Sequence, residues 1–258
     1  MLSSTKIKLI RSLDKKKKRI ETNLFVVEGE KMVLELFNSS FKVRELYHTP
    51  DFIPPATQAP CYTISQSELE RISFLTTPNK VLAIVEIPKS VEFDYSNLGL
   101  SNEQLFLGLD SISDPGNFGT ILRIANWYGV EYLFCSPQCV DCYSPKVVQA
   151  SMGAIFRTKI IYSPLEEVIM NLRQNGKVSI VSSELSGKSL YTFYHNSPLF
   201  LILGNEAHGV SQSVSALCDH RIKIPSYPPH NTTMESLNVA IAAAVFCSEF
   251  RRRLSIEP

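Results

Sequence analysis

The run Leu105-Phe106-Leu107-Gly108-Leu109, stopped by Asp110 and followed by Asp114-Pro115-Gly116-Asn117-Phe118-Gly119, constrains the fold of this chain more than any other segment. An unbroken apolar stretch of this length reads as a strand buried on both faces, the pattern of a parallel sheet covered by helices. Proline, glycine and asparagine then supply a tight turn. Helical spacing resumes through Ile121, Leu122, Ile124 and Ala125, with Asn117 near the helix start and Arg123 one to two turns on. In an open α/β sheet, ligands sit at the carboxyl ends of strands. An amide and a fixed cation there suit an anionic or hydroxyl-bearing partner.

The same grammar recurs twice. Leu201-Ile202-Leu203-Gly204-Asn205-Glu206-Ala207-His208-Gly209 is an apolar strand ending in glycine, which permits a ligand to approach the backbone. Ile222-Lys223-Ile224-Pro225 leads through a loop to Ser236-Leu237-Asn238-Val239, where Ser236 is the expected helix cap and Asn238 falls on the first turn. All three segments bring polar groups to one edge of one sheet.

The rest of the chain alternates in keeping with this. Residues 104–258 read as strands at 105–109, 132–135, 159–162, 178–182, 199–203 and 221–224, with helices at 118–128, 146–152, 165–175 and 211–218 and a long one from Ser236. Residues 1–95 form a smaller α/β unit: a basic helix, strands at 24–29, 43–47, 61–64 and 81–87, and helices at 30–38 and 67–73. Polar residues around 94–103 read as the linker. The expected domains are therefore 1–98 and 99–258.

Charge is unevenly placed. The chain carries a net charge of only +1, yet its first 19 residues hold eight Lys or Arg against the single acid Asp14. Lys15, Lys16, Lys17, Lys18 and Arg19 form a basic arm on an acidic body, which points to nucleic acid as partner. The amino-terminal lysines are not followed by the apolar stretch of a signal peptide, and no run of 18 apolar residues occurs, so a membrane span is not expected. The six cysteines then read as reduced thiols of a cytoplasmic protein.

Asp110…Asp114-Pro115…Asn117…Gly119…Arg123, Leu203-Gly204-Asn205-Glu206…Gly209 and Ile224-Pro225…Ser236-Leu237-Asn238-Val239 together resemble, in order and spacing, the three motifs of the SpoU (TrmH) RNA 2′-O-ribose methyltransferases. Tyr143–Val148 and Ala150–Ala154 are similar to further segments of that family. Residues 8–31 and 72–78 resemble its accessory substrate-binding domain.

The resemblance implies an α/β SPOUT domain with a parallel sheet and a deep trefoil knot, preceded by a ribosomal-protein-like RNA-binding domain. It implies S-adenosyl-L-methionine as cofactor, held by Leu203, Gly204, Asn205, Gly209, Ile224, Pro225 and Leu237. Asn117, Arg123, Glu206, Ser236 and Asn238 map to the catalytic side. It further implies a homodimer acting on structured RNA, ribosomal RNA ahead of transfer RNA. The loop 226–235 departs from the family pattern in having no glycine, so cofactor contacts along it do not carry over; His230 within it is a candidate base.

Three other readings compete. A non-catalytic RNA-binding protein could keep the same fold, and a methyltransferase could act on a small molecule. Cys135-Ser136-Pro137-Gln138-Cys139-Val140-Asp141-Cys142 has the C-x₃-C-x₂-C spacing of an iron–sulfur site. That spacing belongs to barrels with more βα units than this chain holds, so no metal is expected.

Overall fold

The structure, a computed structural model, describes residues 2–89, 93–98, 100–195, 197–228 and 236–254. His230 and most of the glycine-free loop lie outside the described residues. In chain order the elements are α1 (Ser4–Ser12), α2 (Lys16–Thr22), β1 (Leu24–Glu28), α3 (Glu30–Phe37), β2 (Val43–His48), β3 (Cys61–Thr63), α4 (Gln66–Ile72) and β4 (Val81–Glu86). There follow β5 (Leu105–Asp110), α5 (Pro115–Trp127), β6 (Tyr132–Cys135), α6 (Pro145–Ser151), β7 (Lys159–Tyr162) and α7 (Leu165–Asn175). The last are β8 (Ser179–Ser189), β9 (Leu199–Gly204), α8 (Gln212–Ser215), β10 (His220–Lys223) and α9 (Val239–Leu254).

Two units are present: residues 1–91 with 141–157, and residues 92–140 with 158–258. In the first, a sheet of order β1-β4-β2-β3 carries a core of Ile10, Leu13, Val26, Tyr47, Leu69, Ile72, Leu82 and Ile84. Each such side chain, fully buried, contributes about 1.5–3 kcal/mol from apolar area alone. A capping box between Ser65 and Glu68 starts α4 and satisfies two backbone N–H groups. The segment 141–157, which the sequence alone assigns to the second domain, belongs to this first unit: the Tyr143 and Phe25 ring centroids are 4.8 Å apart.

Two expectations for this unit are corrected. The basic helix is two helices, because the chain turns at Leu13 to bury that side chain. Arg19, expected to meet RNA alongside Lys15–Lys18, is only 2% exposed. Its Nε and Nη2 donate to Asp141 Oδ2 at 2.9 and 2.6 Å, and its Nη1 donates to the Leu13 and Asp14 carbonyls at 2.7 and 2.8 Å. A buried guanidinium with its fork so engaged is a structural tie, not a phosphate contact. Lys15–Lys18 are exposed.

In the second unit the sheet runs β10-β8-β9-β5-β6-β7, every pair parallel. Phe106, Phe134, Ile180, Phe200 and Ile202 build one face of its core against Val168, Ile169 and Leu172 of α7. The stretch expected as a linker is part of this core: Leu98 is buried and Phe93, Tyr95 and Leu100 pack on it. Register does the rest. Leu105 pairs with Leu199 and Asp110 with Gly204, so β5 and β9 end side by side. From there β5 leads toward β6 on one side while β9 leads toward β10 on the other. Connections that diverge from neighbouring strands leave a crevice at their carboxyl ends.

Candidate active site

Beside that crevice, on the β8 and β10 side of β9, lies a cleft of about 640 Å³ lined by the turn after β9, the end of β10 and the residue following it, the entry to α9 and the middle of β8. Its shape depends on one close approach. A Cβ on Gly204 would lie 2.1 Å from Gly209 C and from Val210 N. Only glycine lets the chain fold back there. The return is closed by paired backbone bonds between Asn205 and Gly209, at 3.0 and 2.8 Å. Asn205 then pins the turn from within: its Oδ1 accepts from the Ala207 and His208 N–H groups, and its Nδ2 donates to the Ser111 carbonyl at 2.8 Å. The turn after β9 is thereby tied to the end of β5, and Glu206 is left projecting, exposed, at the rim.

Asp114 caps α5 by accepting from the Asn117 N–H at 2.7 Å, with Pro115 at the first helical position. The Asn117 side chain thus leaves the first turn of α5. Asn238, not Ser236, caps α9: its Oδ1 accepts from the Ala240 and Ile241 N–H groups at 2.9 and 3.3 Å, and its carbonyl accepts from Ala242. This corrects the expected cap, and it orients the amide. With Oδ1 held by the helix, only Nδ2 can face outward, where it donates to Asn117 Oδ1 at 2.8 Å. Asn117 must then present its own Nδ2, which donates to Glu206 Oε1 at 2.6 Å. The α9 cap therefore dictates the polarity of a relay, Asn238 to Asn117 to Glu206, that ends on a carboxylate.

Leu203, Gly204, Asn205, Gly209, Ile224 and Leu237 line the cleft, as do Glu206, Ser236 and Asn238. Asn117 reaches it through the relay. Pro225 is exposed and does not line it. Arg123 is exposed on α5, and its side chain forms no ion pair or hydrogen bond among the described residues. Six residues of helix place it about 9 Å along from Asn117 and roughly 120° around the axis. It therefore does not share the face that carries the relay.

The sequence reading missed Ser183–Ser186 and Lys223, which also line the cleft. Between Ser182 and Lys188, β8 leaves its register with β10 and bows out, so Leu185 stands 65% exposed at the opening. Gly187 brings the strand back: a Cβ there would sit 2.5 Å from Ile222 N. A glycine inside a strand pattern was the available signal.

The cysteine segment carries different chemistry from that its spacing suggests. Cys135, Cys139 and Cys142 are buried, and the Cys139 thiol donates to the Leu109 carbonyl at 3.2 Å. Its hydrogen bond with Cys135 is the main cause that draws the Cys139 pKa below the ordinary thiol value. Among the described residues, no group of three or more His, Cys, Asp or Glu side chains is placed to hold a metal ion. No helix among them is long and apolar enough to cross a membrane.

Comparison with known proteins bears on the same residues. Residues 104–248 match the SpoU rRNA Methylase family and residues 4–83 match the MRM3-like substrate binding domain. The chain is 28% identical over 250 residues to the 23S rRNA (guanosine(2553)-2′-O)-methyltransferase RlmP of Bacillus subtilis, spanning 95% of this chain and 96% of that protein. A solved TrmH-family structure from Porphyromonas gingivalis is 36% identical, with a TM-score of 0.85 over 98% of this chain and 99% of that one. The AdoMet-bound rRNA methyltransferase of Sinorhizobium meliloti is 27% identical, again with a TM-score of 0.85, over 98% and 97% of the two chains.

Proposed function

The chain belongs to the SpoU rRNA methylase family, and on that premise we propose that it transfers the methyl group of S-adenosylmethionine to a ribose 2′-hydroxyl of ribosomal RNA. The observation that carries this reading is the amide relay ending on Glu206 at the rim of the cleft. It fixes an acceptor where a hydroxyl nucleophile must be aligned.

S-adenosylmethionine fits the cleft. About 640 Å³ is within the range of small-molecule sites, and the Gly204 cradle brings bare backbone to its wall. Leu185 and Leu237, 65% and 51% exposed, offer apolar surface that a purine would cover. Leu203, Gly204, Asn205, Gly209, Ile224 and Leu237 would hold it. When bound, it supplies an electrophilic methyl on a sulfonium, a leaving group that needs no protonation. The protein's work is then positioning. Glu206, steadied by Asn117, accepts a hydrogen bond from the ribose hydroxyl and takes its proton as the methyl is transferred, while Asn238 keeps Asn117 in the one amide orientation that serves Glu206. Ser236 borders the cleft at the entry to α9.

Arg123 is not a base, because a guanidinium stays protonated in any protein environment. We assign it to a backbone phosphate and to the negative charge that grows on the attacking oxygen. Its position off the relay face, with Trp127 84% exposed on α5 and Ile241 54% exposed on α9, supports a homodimer in which Arg123 serves the cleft of a second copy. Residues 99–258, apart from the 141–157 segment that packs with the first unit, are then the methyltransferase, threaded as the trefoil knot that the family resemblance implies. Residues 1–98 hold the RNA through Lys15–Lys18, in the cytoplasm where its substrate is made.

The test is transfer of labelled methyl from S-adenosylmethionine to ribosomal RNA, followed by mapping of the modified nucleotide. Label on a ribose, shown by resistance of the adjacent phosphodiester to alkali, is the expected result. Label on a base, or none on ribosomal RNA, would overturn the reading.

A further inference from the structure

The substrate-binding unit contains a second, smaller pocket of about 230 Å³ whose wall is chemically unlike the methyl-transfer cleft. It is lined by Arg11, Asp14, Glu28, Phe74, Lys146 and Gln149 over a floor of valines. The Arg11 guanidinium carbon lies 5.0 Å from the Phe74 ring centroid, so a cation and a ring are already paired there. Arg11 also donates to the Ser73 carbonyl. Glu28 accepts from the Phe74 N–H at 2.8 Å and from the Ser73 hydroxyl, which holds the Phe74 backbone in place.

Three of the lining side chains have no such duty. The Asp14 carboxylate, the Lys146 ammonium and the Gln149 amide are exposed and have no side-chain partner among the described residues. The volume is below that of a drug-sized site and suits one planar heterocycle. A ring and a guanidinium plane are the surfaces on which unstacked bases lie. A free carboxylate needs two adjacent donors, and among the bases guanine offers them as N1–H and N2–H on one edge. A lone ammonium beside it suits a phosphate.

We propose that this pocket takes one unpaired guanine nucleotide of the RNA, with the base against Phe74 and Arg11, its donor edge on Asp14 and its phosphate on Lys146. The proposal rests on the reading of the protein as an RNA enzyme, and it adds a second point of sequence readout away from the methylated ribose. Adenine and cytosine present a single amino group to a carboxylate and uracil a single imino N–H, so they leave one carboxylate oxygen unmatched.

The experiment is ligand-observed NMR on the full chain with guanosine, adenosine and cytidine 5′-monophosphates, each with excess S-adenosylhomocysteine present to fill the methyl-transfer cleft. Guanosine monophosphate is expected to bind and the other two to bind at least several-fold more weakly. Lys146→Ala should weaken guanosine monophosphate about tenfold, the loss of one charge-assisted contact. Asp14→Asn should remove the preference for guanine while retaining residual binding through the phosphate. Both side chains are exposed, and unchanged thermal unfolding of each variant would establish that it is folded. Equal binding of all three nucleotides, binding abolished by S-adenosylhomocysteine, or wild-type binding by both variants would overturn the proposal. Calorimetric titration of S-adenosylmethionine into the same variants separates the two questions: failure of cofactor binding in the wild-type protein counts against the methyltransferase, while failure of nucleotide binding alone counts against the pocket.

Discussion

Replacing Asn117 by aspartate changes one group and almost no volume, which makes it the most direct test of the relay. The new side chain still accepts from Asn238 Nδ2, but where Asn117 Nδ2 donated to Glu206 Oε1 at 2.6 Å it now presents a second carboxylate oxygen. A charge-assisted hydrogen bond worth about 1.5–3 kcal/mol is lost. In its place two like charges at that distance repel by about 1.6 kcal/mol at the dielectric of water and about 6 kcal/mol at an effective dielectric of 20. Glu206 is exposed and Asn117 half-buried, so the pair relaxes apart and the penalty sits near the aqueous end. A cost of about 2–4 kcal/mol in the aligned state follows, equivalent to a loss of roughly 30- to 1000-fold in kcat. Single-turnover methyl transfer with the RNA saturating measures it, and an activity within about threefold of wild type would refute the relay.

Other substitutions probe other parts of the site. Gly204→Ala forces the 205–209 turn away from β9 and breaks its two backbone bonds; with an overpacking cost of about 1–3 kcal/mol, S-adenosylmethionine binding measured by calorimetry should fall at least tenfold. Asn238→Ala removes the α9 cap at about 0.5–2 kcal/mol of unfolding free energy, whereas Asn238→Asp keeps the cap but has no donor for Asn117, so both variants should lose kcat and only the alanine variant should lose stability; chemical denaturation and transfer assays read the two effects separately. Arg123→Lys keeps the charge but loses the planar fork, so a fall in kcat with cofactor affinity unchanged is expected, and activity near wild type would exclude a bidentate clamp. At the other end of α9, hydrogen bonds from Arg252 and then Arg253 hold the Glu249 carboxyl down to about 2. A depressed carboxyl stabilises the fold above its unfolded value near ~4.3 and loses that contribution as pH falls toward its folded value. The Tm of the wild-type protein should accordingly drop more steeply below about pH 4 than that of Glu249→Gln.

What was legible in the sequence is what short-range chemistry decides. An apolar strand stopped by Asp110 or Gly204 needs no distant partner to be recognised, and the turn residues that follow are chosen by backbone geometry that operates within a few positions. This is why β5, β9 and the starts of their turns were readable, while Ser183–Ser186 and Lys223 of the cleft lining were not. The same local view misled where a distant group intervened. Arg19 belongs to a run of lysines and looks solvated, yet Asp141, 122 residues away, draws it inside. Phe93 to Leu100 looked like a linker until the second sheet supplied a surface to cover it.

By itself, then, the sequence determined the layered α/β architecture and the edge at which polar groups would gather, because periodicity and turn propensity act within a few residues. The family was legible only through the resemblance of three ordered motifs. The tertiary structure alone decided how those groups work together. Asn117 meets Glu206 across 89 residues and Asn238 across 121, and the polarity of that relay is set by a helix cap whose position depends on where α9 begins. Such a partnership is a product of strand register and chain return, and neither is written in any one segment.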